Sequence, residues 1–172
     1  MSNARNLANL LGTSTTVPSS KQPAGSVLQV KSDVLTGAAS TSGTTFVDTG
    51  LSVDITPSST SSKFLIIVNL GLVGVNSSDG VMTKLFRDST EIASATGADT
   101  RNLFTQSYYG ATSNYYVGTS NHFFDTPSTS SQITYKLQFA MTGSTNTGYI
   151  NRRPSDNFAR TSSNFTVMEI AG

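Results

Sequence analysis

The sequence has no cysteine and a single histidine, His122. Without cysteine the fold has neither disulfides nor thiolate metal sites, and one histidine cannot complete the usual zinc ligand sets within one chain. Charge is scarce: 11 Lys and Arg stand against 10 Asp and Glu, a formal net charge of +1. That balance gives no clustered basic footprint, so no nucleic-acid partner is expected. Long apolar runs are missing as well. The longest candidate, residues 64–75, is interrupted by Asn69, Gly71 and Gly74, and no membrane insertion is expected. The first residues lack the basic stretch and apolar core of a secretion signal.

What the sequence has in quantity is Ser and Thr, about thirty per cent of the 172 residues, together with 14 Gly. Thr favours strands, and Ser and Gly favour turns. Such a composition would also suit a disordered chain. Nine Phe and six Tyr, with many Val and Ile, argue instead for a packed core. The length fits one domain with a tail.

Residues 1–25 read differently from the rest. Ala4, Leu7, Ala8 and Leu11 recur at helical spacing, Leu10 widens the stripe, and Gly12 is a natural stop. A helix this short does not stand alone in water. It is expected to dock on a partner, with Ala4, Leu7, Ala8, Leu10 and Leu11 as the anchor. Residues 13–25, polar and carrying Pro18 and Pro23, read as an extended linker. The chain therefore divides into an N-terminal helix and linker (1–25) and a β domain (26–172).

From residue 26 the pattern is strands. They are expected at 27–31, 46–49 and 51–56 (about a bulge or turn at Gly50), 63–75, 81–86, 91–93, 104–109, 115–124, 133–141, 149–151 and 164–170. Residues 37–45 read as a loop, and 57–62, 76–80 and 87–90 as turns. The 63–75 segment is apolar at both parities, the pattern of a central strand covered on two sides. Short strands with a turn every eight to twelve residues or so indicate an all-β fold, an antiparallel β-sandwich of jelly-roll type.

No chemistry-bearing motif stands out. The ten carboxylates are scattered, whereas a glycosidase needs two that face each other. Asp79, Asp88 and Asp125 sit in turn contexts (SSDG, FRDST, FDTPS), where Asp caps local backbone. Neither GxGxxG nor GxxxxGK occurs, so no cofactor and no catalytic residue is assigned. His122, beside Asn121, Phe123 and Phe124, reads as a strand residue at a surface or interface; in a trimer, three copies meeting on the axis would form an ion site. Tyr108, Tyr109, Tyr115 and Tyr116 flank a five-residue loop, residues 110–114. Paired aromatics on a strand put one ring on each face, one toward the core and one toward a partner. Tyrosine beside Asn and Ser suits sugar contact and subunit packing equally. These four tyrosines and His122 are the candidate receptor or subunit contacts. The basic doublet Arg152-Arg153 reads as a maker of salt bridges or backbone contacts.

Residues 4–11 (ARNLANLL), 23–30 (PAGSVLQV), 46–51 (FVDTGL) with 55–57 (ITP), 124–127 (FDTP) before 133–136 (ITYK), 149–152 (YINR) and 166–170 (TVMEI) resemble the tail-fibre-like virion structural proteins of marine bacteriophages, of the cyanophage and pelagiphage type. The resemblance spans nearly the whole chain in short pieces. It implies a non-enzymatic virion protein, assembled in the host cytoplasm as a homotrimer. Its N-terminal arm would dock on other virion proteins, and its β-rich head would contact a host-surface glycan or protein. This chain departs from the pattern in having no long fibrous shaft, which favours a compact head fixed to a larger particle. Two other readings share the trimer: a capsid decoration (cement) protein and a polysaccharide-degrading spike.

Overall fold

Apolar and polar residues alternate along most of the chain beyond residue 26, and in an extended backbone that alternation sorts side chains onto two faces. The structure, a computed structural model, describes Pro18 and residues 21–76, 78–96, 106–110, 115–143, 145–156 and 158–172. The anchor residues Ala4, Leu7, Ala8, Leu10 and Leu11 lie outside the described residues. Eleven strands occur among those described: β1 (Val27–Leu35), β2 (Ala39–Thr41), β3 (Val47–Ile55), β4 (Lys63–Val75), β5 (Asp79–Arg87), β6 (Thr90–Ile92), β7 (Gln106–Gly110), β8 (Tyr115–Asp125), β9 (Ile133–Met141), β10 (Gly148–Ile150) and β11 (Ser163–Ile170).

All pairings are antiparallel and fall into two sheets. Sheet I runs β8–β4–β11–β1, with β10 and β2 continuing beside the upper part of β4. Sheet II runs β3–β9–β5, and the far edge of β5 is shared by β7 and β6. Setting aside the short β2, β6 and β10 leaves eight strands. They form two four-stranded sheets in the order of a jelly roll, the fold in which two Greek keys close a sandwich. The chain is an all-β antiparallel sandwich, as its alternation indicates.

The inner faces meet in one core. Leu51, Val53 and Ile55 of β3, Phe64, Ile66, Val68 and Leu70 of β4, Ile133, Leu137 and Phe139 of β9, and Phe165 and Val167 of β11 are all buried. The Phe64 and Tyr135 rings lie 5.8 Å apart between centroids. Gly50 takes a φ of +95° where the β3–β9 register shifts between Asp48 and Ser52; a glycine there adopts the left-handed backbone without a Cβ clash. Residues 37–45, read as loop, contain β2. Those three residues are a strand because β10 supplies them with partners.

Polar side chains lock the corners. Asn151, fully buried with a φ of +65°, donates through Nδ2 to the Leu35 and Gly37 carbonyls at 2.7 and 3.0 Å and accepts from Ser163 Oγ at 2.6 Å. It fastens the β10–β11 corner to the β1–β2 corner. Asp79 caps local backbone as its context indicates, accepting from the Gly80 amide, and reaches the Gly143 amide as well; Asp88 instead accepts from the distant Thr134 amide. Asp125 does something else. It accepts Arg87 Nη1 on both oxygens at 2.8 Å and the Tyr135 hydroxyl at 2.6 Å, and so ties the end of β8 in sheet I to β5 and β9 in sheet II.

Candidate interaction face

The outer faces of the two sheets differ in charge. In sheet II, Asp48 and Asp54 of β3, Lys84 of β5, Glu91 of β6 and Lys136 of β9 project outward. They are mutually satisfied: Lys84 bonds Glu91 at 2.7 Å, Lys136 reaches Asp48 at 3.2 Å, and the Thr134 hydroxyl donates to Asp54 at 2.6 Å. The Gln138 amide above all, aided by Lys136, holds the Asp48 carboxyl below its ordinary pKa against the opposing effect of burial. This is the polar exterior expected of an antiparallel sheet with one wet face.

Sheet I presents three cross-strand rows of four residues with no charge among them. They are Val30, Met168, Leu65 and Phe124; Ser32, Thr166, Ile67 and His122; and Val34, Asn164, Asn69 and Ser120. Val30 and Val34 are each 54% exposed and Phe124 66%. The third row is bound internally, Asn69 donating to Asn164 at 2.9 Å and accepting from Ser120. The inner side of β4 is sealed in the core, while outward Leu65 and Ile67 are only half-buried. Among the described residues, the second cover expected for this strand is thus incomplete.

The structure separates the expected contact residues. Tyr108 packs against the core from β7, while its neighbour Tyr109 is 66% exposed on sheet II. Tyr116 lies on the outer face of sheet I, paired with Gly74. Tyr115 pairs through its backbone with Val75; its side chain and the 111–114 loop lie outside what is described. His122 is exposed on the uncharged face, beside Ile67. Phe123 packs inward and Phe124 outward, the division that paired aromatics on a strand require.

Sequence reasoning missed a cluster at the upper end of sheet I. Tyr149 and Tyr116 flank Gly74 on adjacent strands. Arg152 lays its guanidinium 4.3 Å above the Tyr149 ring and donates through Nε to the Arg153 carbonyl. Arg153 is ion-paired with Asp156 and sits 5.5 Å from the ring of Phe158, itself 86% exposed. The Arg153 side chain, with the Phe158 amide, holds the Asp156 carboxyl below its ordinary pKa. The basic doublet was the available signal; its rings are near neighbours in sequence, Tyr149 in β10 and Phe158 in the following loop, and Tyr116 alone comes from a distant strand.

Other carboxylates are consumed by structure. Glu169, fully buried, accepts from the Ser58 amide at 2.6 Å, Ser62 Oγ at 2.5 Å and Gln29 Nε2 at 2.6 Å. Burial pushes its pKa up, and the Ser62, Gln29 and Ser58 donors outweigh that and hold it low. Asp79 behaves alike: burial opposes ionisation, and Thr142, Gly80, Asn146 and Gly143 overcome it. Among the described residues no three His, Asp or Glu side chains gather around a space for a metal ion. No helix among them is long and apolar enough to cross a membrane.

No protein-family model and no curated protein matches this chain.

Proposed function

We propose that this chain is a bacteriophage virion structural protein: the trimeric head of a tail fibre or related appendage, docked through residues 1–25 and turned toward the host surface. The observation that carries the reading is the group of three uncharged rows at the middle of the outer face of sheet I, between Lys63 at one end and the Arg152–Arg153 cluster at the other. Charged side chains are depleted at the centres of protein interfaces, and the apolar half of these rows, Val30, Met168, Leu65, Phe124, Ile67 and Val34, clusters toward the Phe124 end. Four strands at about 4.8 Å spacing and the four residue steps from Leu65 to Asn69 at about 3.3 Å give a patch of roughly 19 by 13 Å. That is about a third of the roughly 800 Å² each partner commits to a standard interface, so the patch is the centre of a contact whose rim lies around it.

The occupant is a second copy of this chain. The three rows carry no charge and need none opposite, and an uncharged partner of matching shape is what a sister subunit supplies in a cyclic assembly. Jelly rolls occur in viral capsid and lectin domains, which adds support by analogy of fold alone. No step of the reading uses a catalytic group, since Asp79, Asp125 and Glu169 are each engaged by structural donors.

Gold-labelled antibody on particles of the phage that carries this chain tests the proposal. Label on the tail is the expected result. Label on the shell at high copy number would instead make it a decoration protein, and absence from purified particles would end the virion reading altogether.

A further inference from the structure

We infer that the upper end of sheet I, built from Arg152, Tyr149, Tyr116 and Phe158, is a binding site for an acidic polysaccharide. Tyr149, Gly74 and Tyr116 are successive cross-strand neighbours, so the two tyrosines stand about two strand spacings, or roughly 9–10 Å, apart. The strand between them contributes only backbone at Gly74. Tyr116 and Phe158 hold exposed ring surface, 40% and 86% respectively. Aromatic faces of this kind stack against the C–H faces of sugar rings, while polar atoms at their edges hydrogen-bond hydroxyls.

The cations supply the choice of sugar. The Arg152 guanidinium carbon lies 4.3 Å over the Tyr149 ring centroid, and among the described residues its one hydrogen bond runs from Nε to the Arg153 carbonyl. Its charge reaches the Asp156 carboxylate through space, but its two terminal amino groups are left as a fork beside the ring. A guanidinium fork matches a carboxylate or sulfate with two parallel hydrogen bonds, and a fork already immobilised loses little freedom on binding. Arg153 is committed to Asp156; its part is to hold that carboxylate away from the Arg152 fork. A neutral glycan would use the rings and leave the Arg152 fork unmatched, so the ligand is a sugar chain that carries carboxylate or sulfate.

The site is separate from the uncharged rows. It lies beyond the irregularity of β4 between Leu70 and Val73, at the rim of the face assigned to sister subunits. The inference rests on the reading of the head as the host-contacting part. It fails independently of that reading, because purified protein tests the site and particle labelling tests the location.

The experiment is retention of the full-length protein on immobilised polygalacturonate, heparin and dextran at low salt. The expected result is binding to one or both acidic polymers and none to dextran. Arg152→Ala and Arg152→Lys should each weaken binding about tenfold or more, the loss of a charge-assisted fork, and Tyr116→Ala should weaken it too. Lys63→Ala removes the same charge from the opposite end of the face and should change affinity less than twofold. No retention on either acidic polymer overturns the inference. So does an equal loss from Lys63→Ala, or equal retention on single-stranded DNA, since either would mean diffuse attraction to polyanions. A fall in thermal stability for Arg152→Ala and Tyr116→Ala with unchanged retention would also overturn it, showing that the rings merely cover Gly74.

Discussion

Glu169 is a buried carboxylate held by neutral donors, and its role shows in the pH dependence of stability. Its folded pKa lies below the ordinary value of 4.5, so the unfolded chain binds the proton more readily. The stabilisation is therefore complete above the unfolded pKa and is lost as pH falls through the folded one. Glu169→Gln replaces an acceptor with an amide whose NH2 meets the Ser58 and Ser62 donors. We expect a loss of about 2–3 kcal/mol at neutral pH and a shallower decline in stability below about pH 4.5. Urea unfolding of both proteins across that range is the check, and parallel acid profiles would remove Glu169 from the account. Asn151 offers a second case. In Asn151→Asp a carboxylate oxygen would face the Leu35 and Gly37 carbonyls that Nδ2 now donates to. The expected cost is about 3 kcal/mol or more, measurable as a lowered melting temperature. Asn151→Gly, which keeps the left-handed backbone, isolates the hydrogen bonds from the strain.

At the scale of the element, β4 is the strand on which the fold turns. Its lower half pairs with β11 and its upper half with β10 on the same side. Between the two, Gly71 and Leu72 donate their amides to the Ser163 and Thr161 hydroxyls at 3.0 and 2.8 Å. Side chains thus satisfy the donors that the change of partner would strand. The close approach requires glycine: a Cβ on Gly71 would lie 2.2 Å from Thr161 Oγ1 and 2.8 Å from the Ser162 carbonyl. Gly71→Ala should cost about 1–3 kcal/mol. Unaltered denaturation midpoints would show that the 161–163 segment gives way without penalty.

At the scale of the whole molecule, the unlike exteriors of the sheets make the assembly testable. Phe124→Lys puts a charge into the uncharged face at a side chain that is exposed in the single chain. The protomer fold should survive, with an unchanged β-type circular dichroism spectrum, while light scattering moves from a trimer of 18.1 kDa chains to monomer. A wild-type protein that is monomeric at low micromolar concentration would defeat the subunit assignment at once. The arm makes a separate prediction. Burying two or three leucines per copy contributes on the order of 1.5–3 kcal/mol each, and three copies act together. Leu7→Asp with Leu11→Asp should leave the soluble trimer intact and abolish incorporation into particles, scored by gel analysis of purified virions.

Much of this architecture is written locally. Period-two alternation and turn residues act over a few positions, and they place the all-β class, the Gly50 irregularity and the bounds of β4 and β9 directly in the sequence. The inward and outward division of Phe123 and Phe124 follows from the same local rule. The rest depends on partners that no local pattern names. Ala39–Thr41 carries no alternation of its own and becomes a strand only beside β10. Asp125 sits in a turn-like context, yet its partners Arg87 and Tyr135 come from the opposite sheet. Glu169 meets Ser62 across 107 residues and Gln29 across 140, and Arg152 finds its place on a ring of the short strand β10. Most of all, the contrast between a charged and an uncharged exterior exists only once eight strands have been sorted into two sheets. Each strand alone shows which side chains share a face; only the jelly-roll order decides which faces lie side by side.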